Sequence, residues 1–376
     1  MNPTKPVWID DPTNAAILAV SEDRLTGFQL DPFGTIAERS GLDVATVLER
    51  IVAMLGSGTI RRVRQTLMAT NLAKGSLCAW QVPPEKLEAA FDWLFREDPF
   101  SGHVVIRSTD SATAGSNYRL WTTLKVPQGY DIAKYAAFLA GRIGAEAHRL
   151  MPAEMLFALG VGHVRRQGLE PGARAAEPAV VKDTNIVELS QLEWRVLTAI
   201  KREFAPSELV RDLWRARASE AGVSIEEFAR VGTDLNRRRV IGRFSTFLEH
   251  VKPNAAAGGA QVTRYNALFH WKVPAGREVE AGREVGRHYI MTHAYWREGG
   301  PEFKGVNIMG VAHGTDKAMV LAHKAAIDDH LREAGIAFDY TNVFWGGRSE
   351  IKPSEIAPAA FADFCSRHGI DPETMR

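Results

Sequence analysis

Cysteine is nearly absent: Cys78 and Cys365 are the only two in 376 residues, far apart and without a CxxC spacing. That excludes a cysteine-rich zinc or iron–sulfur site and a disulfide framework. Charge of one sign is not in excess either, since 46 Lys plus Arg against 45 Asp plus Glu leave a formal net charge of +1. No chain-wide positive field marks a binder of phosphate backbones. No run approaches the roughly 20 apolar residues of a membrane helix, and Met1 to Pro12 lacks the apolar core of a signal peptide. A cytoplasmic location without membrane contact is the expectation. Walker A loops, dinucleotide glycine fingerprints, nucleophile elbows and HExxH are all missing, so nucleotide hydrolysis, hydride transfer and zinc proteolysis have no motif to rest on. His323 and His330 stand seven apart on one helical face. No carboxylate completes a metal spacing around them, so they read as solvated helix surface and no metal site is assigned.

What the chain has is a repeat. Composition is ordinary for globular protein, 45% hydrophobic and 24% charged, and the length accommodates more than one core. Ser76-Leu77-Cys78-Ala79-Trp80-Gln81-Val82-Pro83 is echoed by Ala267-Leu268-Phe269-His270-Trp271-Lys272-Val273-Pro274. Ahead of the first copy, a short helical pattern at residues 34–41 turns at Gly41, and Val44, Val47, Leu48, Ile51, Met54 and Leu55 recur at helical spacing. Gly56 and Gly58 close that helix, and Thr59 to Leu67 alternates like a wing strand. Gly41 to Leu67 lines up without a gap with Gly222 to Leu248. After each such stretch the expected order is strand (75–82; 263–273), helix (84–96; 276–285), strand (102–109; 287–297), strand (118–126; 304–312), helix (130–144; 315–335) and strand (154–164; 337–349). This βαββαβ order builds an antiparallel sheet with both helices on one face. The second copy alone carries a small-residue insertion at residues 251–260.

The second copy also holds the denser polar residues. Side chains alternate along a strand, so His293, Tyr295 and Arg297 share one face, and Asn307, Met309, Val311 and His313 share a face of the returning strand. A turn near Pro301 to Lys304 would bring His293 and His313 together. Two imidazoles supply a proton donor near neutral pH, and a guanidinium fixes a carboxylate. In the first copy His103 and Arg107 survive, Val105 stands for Tyr295, and in the aligned sequences Gln128 stands for His313. Arg107, Arg119 and Lys125 there suit holding carboxylates, and Arg119 and Lys125 read equally well as solvated strand ends. His250 follows the second wing, where the first copy has Ala69. Trp296, Trp271, Met309 and Phe269 are candidates for an apolar slot, or core.

Winged helix-turn-helix followed by βαββαβ resembles the Lrp/AsnC family, and within it the siroheme decarboxylase branch. Thr292-His293-Ala294-Tyr295-Trp296-Arg297 resembles that branch's Ser-His-Cys-Tyr-x-Arg strand, and Asn307 to His313-Gly314 keeps the Asn to His-Gly spacing of its second strand. Ile60-Arg61-Arg62 and Glu249-His250 resemble the wing and the residues after it. Departures are Ala294 for the Cys and Lys304-Gly305-Val306 for the usual Trp-Pro-Tyr. The fold expected is α+β: a tandem of winged helix-turn-helix plus ferredoxin-like modules forming a pseudo-dimer. Its parts are a first winged domain at 1–70, a ligand domain at 71–166, a linker at 167–185, a second winged domain at 186–250, a second ligand domain at 261–352 and a tail at 353–376. The resemblance implies a carboxy-lyase removing acetate carboxylates from siroheme, an iron tetrapyrrole that is the substrate, with no further cofactor. His293 and His313 would be catalytic, and Arg297, Tyr295, Asn307, His250, Arg107 and His103 would bind the macrocycle. A homologous partner subunit or a homodimer is compatible with this reading. The rivals are a DNA-binding regulator, using Arg230, Arg237, Arg238, Arg239 and Arg243, and a non-catalytic tetrapyrrole sensor. Nucleic acid is not the expected partner, because the first copy's reading helix presents Asp43 and Glu49.

Overall fold

Short polar side chains open most helices of this chain, and left-handed glycines close several. The computed structural model describes residues 6–159, 168–181, 186–248, 265–352 and 354–376. In chain order the elements begin α1 (Pro12–Ser21), β1 (Leu25–Thr26), α2 (Pro32–Ser40), α3 (Val44–Ser57) and β2 (Ile60–Leu67). Next come β3 (Ala73–Gln81), α4 (Leu87–Arg96), β4 (Ser101–Ser108), β5 (Leu120–Pro127), α5 (Ile132–Ile143), β6 (Ala147–Pro152) and β7 (Met155–Leu159). The second copy supplies α6 (Gln191–Lys201), α7 (Leu213–Glu220), α8 (Ile225–Arg237), β8 (Ile241–Leu248), β9 (Tyr265–Lys272), α9 (Glu278–Gly286) and β10 (Met291–Trp296). Last are β11 (Ile308–Gly314), α10 (Lys317–Glu333), β12 (Tyr340–Ile351) and α11 (Pro358–Arg367). None of the helices among the described residues is long and apolar enough to cross a membrane.

The described residues of 6–68 and 187–248 form one compact unit, and those of 69–159, 169–186 and 265–376 a second. In the first unit Asp43 caps α3 by accepting from the Thr46 amide, and Gly58 ends it at φ 82°. Ser190 and Glu193 form a reciprocal capping box on α6. Val47, Ile51 and Met54 of α3 and Phe228, Val231 and Leu235 of α8 lie one helical turn apart and are buried. The strands β1, β8 and β2 make a three-stranded sheet in which Val63 faces Thr246.

The second unit is built on one sheet of order β6-β3-β5-β4-β12-β9-β11-β10-β7. The two copies exchange their last strands: β12 runs from β9 onto β4, while β6 pairs with β3 and β7 with β10. Pro152 ends β6 where β12 continues through Gly346 and Gly347. β6 is absent from the sequence reading, and of the strand expected at 154–164 only Met155–Leu159 is seen, Glu154 being a bend and 160–164 lying outside the described residues. Each half buries one sheet face under its own helices. Trp80, Leu120 and Leu124 pack with Phe91 and Leu139, whereas Phe269, Trp271 and Ala294 pack with Ala281 and Ile327. The opposite faces meet in a third cluster containing Trp121, Val105, Met151, Leu268, Met309, Phe344 and Phe303. Phe303 comes from the β10–β11 connection, so that turn is a plug in the inner face. The C-terminal segment read as a tail forms α11, whose Phe361 and Phe364 sit fully buried against Phe100 and Tyr135. Burial of each such ring stabilises by roughly 1.5–3 kcal/mol, so this helix belongs to the first half's core.

Candidate active site on the inner sheet face

Strand alternation places His293, Tyr295 and Arg297 in a row on the inner face of β10. The His293 and Tyr295 rings stack at 6.1 Å and 14°, and the Arg297 guanidinium lies 4.3 Å from the Tyr295 centroid. Arg297 Nη1 donates to the carbonyl of Met151 on β6. Burial raises the Tyr295 phenol above its ordinary range, against the pull of Arg297.

On β11, Val311 is the direct partner of His293, and His313 follows on the same face. The two imidazoles meet through Thr292. A register shift between Met291 and His293 sets Thr292 Oγ1 3.2 Å from His293 Nδ1, 3.3 Å from His313 Nδ1 and 3.0 Å from the Val311 carbonyl. A carbonyl only accepts, so the arrangement that satisfies all three contacts has the hydroxyl donating to Val311 and both Nδ1–H groups donating to the hydroxyl oxygen. One threonine thereby holds both rings through Nδ1, in the same tautomer.

The first half repeats the geometry with different chemistry. His103 pairs with Thr123 as His293 pairs with Val311, and Val105 pairs with Trp121 as Tyr295 pairs with Met309. Two residues further along, Lys125 stands where His313 stands. The opposite residues agree: Gly75 faces Lys125 and Asn266 faces His313. Gln128, the sequence-aligned counterpart of His313, instead donates its amide to the Leu72 carbonyl. His103 Nε2 lies 2.7 Å from Ser349 Oγ on β12. Arg107 Nη1 reaches the Phe344 carbonyl at 3.5 Å, the counterpart of the Arg297 contact with Met151. Burial without an acid partner lowers the Arg107 guanidinium to about 10 and, with Arg297's charge added, the Lys125 ammonium to about 8. No carboxylate among the described residues forms an ion pair with Arg107, Lys125 or Arg297. Three cations on one inner face thus lack counterions, an arrangement that costs free energy until an anion arrives.

Other expectations land elsewhere. Asn307 spends its side chain on the fold: Oδ1 accepts from the Val273 amide at 2.9 Å, and Nδ2 donates to the Val273 carbonyl and Glu278. Phe269 and Trp271 face the helices rather than the inner face, because they alternate with Leu268 and His270; Trp296 packs on that same helix-side core, leaving Met309 as the inner-face member of the four. His250 and the 251–260 insertion lie outside the described residues. His323 and His330 are buried, not solvated: His323 Nε2 meets the Leu169 carbonyl, and His330 Nε2 lies 2.6 Å from Glu284. Two inner-face residues carried no role in the sequence reading. One is Thr292, whose partner geometry depends on a bulge that no spacing reveals. The other is His270, 1% exposed among Trp121, Phe303 and Phe344, with neither ring nitrogen hydrogen-bonded. Its burial, with the charges of Arg107 and Lys324, lowers it to about 3. The available signal was a histidine alternating with Phe269 and Trp271, at the position where the other copy has Ala79.

This arrangement is a duplicated sheet whose inner face carries imidazoles in one half and cations in both. Residues 72–157 match the AsnC-like ligand binding domain family. The chain as a whole has the fold of the siroheme decarboxylase NirDL, whose crystal structure superposes with a TM-score of 0.64 at 18% identity over 96% of this chain and 100% of that one. The same enzyme in co-complex with an iron-uroporphyrin III analogue aligns with a TM-score of 0.64 at 18% identity over 95% of this chain and 99% of that one. Comparison with curated protein sequences gives no match.

Proposed function

We propose that this chain is a siroheme decarboxylase-like carboxy-lyase, acting in the cytoplasm on an iron tetrapyrrole that carries acetate side chains. In this reading the tandem modules, 1–70 with 71–166 and 186–250 with 261–352, are winged helix-turn-helix plus ferredoxin-like units joined by the 167–185 linker into a pseudo-dimer. The observation that carries it is the pair of imidazoles keyed by one threonine beside guanidinium groups that lack counterions. Arg297 and Arg107 pair the macrocycle's carboxylates and fix its orientation. Loss of carbon dioxide leaves the bond's electron pair on the side-chain carbon, where the macrocycle delocalises it. A protonated His293 or His313 then delivers H⁺ from Nε2 to that carbon, so each acetate becomes a methyl group and each turnover consumes one proton. Tyr295, stacked between His293 and Arg297, holds both in line. The fold shared with NirDL and its iron-uroporphyrin III analogue complex supports this assignment.

Nucleic-acid binding is disfavoured by charge pairing on α8: Arg230 meets Glu227 at 3.7 Å, Arg237 meets Asp234, and Arg238 meets Glu193. Each of these guanidiniums has a carboxylate beside it, and Glu226 and Glu227 fill the helix's first turn. Mixing the protein with siroheme under reducing, anaerobic conditions tests the proposal. The expected result is a spectral shift followed by products lighter by carbon dioxide units. A shift without mass loss would make the protein a sensor, and neither would end the tetrapyrrole reading.

A further inference from the structure

Lys125 and Arg297 come from opposite halves of the duplicated sheet and reach the same corner of its inner face. Lys125 projects over Gly75 on β3, where a Cβ would sit 3.4 Å from Nζ. Arg297 is anchored on the Met151 carbonyl, and Met151 pairs with Leu77, two residues along β3 from Gly75. Neither cation has an acid partner among the described residues, and Arg297's charge is felt at Lys125. Buried like charges side by side cost free energy, and the cost is recovered when an anion sits between them. A lysine at the position of His313 also changes what this half can do: an ammonium flanked by a guanidinium holds a carboxylate, whereas the Thr292-keyed imidazoles exchange protons. Along β10, Arg297 lies four residues from His293, about 13 Å at strand rise, so the two places are distinct.

We propose that Lys125 and Arg297 form a composite carboxylate-binding pocket that grips a non-reacting carboxylate of the substrate while another is presented to the imidazole pair. The identity of the occupant rests on the tetrapyrrole reading; the pocket itself rests on the two cations.

The test compares the wild type with Lys125→Met, which keeps volume and removes charge, and Lys125→Arg, which keeps charge. Each is titrated by absorbance with iron-uroporphyrin III and, separately, followed by thermal unfolding with citrate. The pocket predicts that Lys125→Met weakens iron-uroporphyrin III binding at least tenfold and loses citrate stabilisation, while Lys125→Arg stays within threefold of wild type. Citrate stabilisation that depends on Lys125, with no tetrapyrrole binding by the wild type, would uphold the pocket and overturn the substrate reading. Tetrapyrrole binding that is equal in wild type and Lys125→Met would overturn the pocket and leave the substrate reading standing. Failure of both ligands with the wild type would overturn both.

Discussion

Mild acid should destabilise the unit built on the nine-stranded sheet before its carboxylates titrate, and His270 should account for a measurable share. An unfolded histidine titrates near 6.5, whereas burial together with the charges of Arg107 and Lys324 holds folded His270 at about 3. Burial, aided by His330, Arg174 and Arg287, holds His288 at about 3 as well. The folded pKa lies below the unfolded one, so the unfolded chain takes up the proton first. Stability is therefore full above pH 6.5 and falls as pH drops through the window from about 6.5 toward 3. Each group costs roughly 1.4 kcal/mol per pH unit inside that window. Acidifying from pH 7 to 5 crosses about 1.5 units of it, so each histidine removes roughly 2 kcal/mol and the pair roughly 4. That is a large fraction of the roughly 5–15 kcal/mol of a typical domain. At this size 1 kcal/mol corresponds to roughly 2–4 °C, so the two together should lower Tm by roughly 8–16 °C. Burial shifts His148, His323 and His368 the same way, steepening the slope further. The discriminating variant is His270→Phe, since Trp121, Phe303 and Phe344 already surround the ring. Calorimetry from pH 7 to 5 should show the Tm decline reduced by roughly 4–8 °C in this variant. A decline identical to wild type would refute the account of His270 as a buried neutral base.

Replacing Thr292 by Val removes the hydroxyl that orients both imidazoles while keeping the side chain's shape. Turnover should fall roughly 10–100-fold with tetrapyrrole affinity nearly unchanged, as for loss of an orienting partner elsewhere, and steady-state kinetics checks the split. His293→Ala with His313→Ala should abolish turnover, a loss of at least roughly 10²-fold for a general acid, while absorbance still reports bound tetrapyrrole. Asn307→Ala should cost roughly 1–3 kcal/mol by leaving the Val273 and Glu278 groups unpaired; thermal unfolding will show it, and ligand titration should not. Gel retardation with duplex DNA at low salt should show no shift, given the paired guanidiniums on α8; a salt-sensitive shift would reinstate the regulator.

Periodicity made much of this architecture legible. The apolar residues of α3 and α8 recur at helical spacing with glycine stops, and β10 and β11 alternate cleanly enough to put His293, Tyr295 and Arg297 on one face. The readings that failed concern pairings formed between distant segments. Nothing local in Ala147–Pro152 distinguishes β6 from loop, because its ladder partner is β3, some seventy residues earlier. The equivalence of His313 and Lys125 was likewise hidden. Aligning the copies by sequence gave Gln128, since the connections between β4 and β5 and between β10 and β11 differ in content, and only ladder register overrides that drift. The apolar slot was misassigned for a related reason: Trp271 and Phe269 look like natural walls for a flat ring, yet their alternation with His270 and Leu268 sends them under α10.

Duplication within one chain accounts for the unequal halves in physical terms. Two identical halves would have to mutate together, so under the proposed function any change good for proton transfer would be imposed on the carboxylate-holding side as well. Once both copies are encoded separately, Val105 can replace the Tyr295 equivalent and Lys125 the His313 equivalent without touching the imidazole pair. The exchange of β7 and of the far end of β12 keeps the halves in one sheet while they diverge. Across the inner face, Arg297 of the second copy meets its carbonyl on β6 of the first, and Arg107 of the first meets its own on β12 of the second. Each guanidinium is therefore positioned by the other half. A change confined to one copy's last strand, such as shortening β12 at Gly346–Gly347, should displace the opposite copy's arginine and weaken carboxylate binding there, even with every imidazole intact.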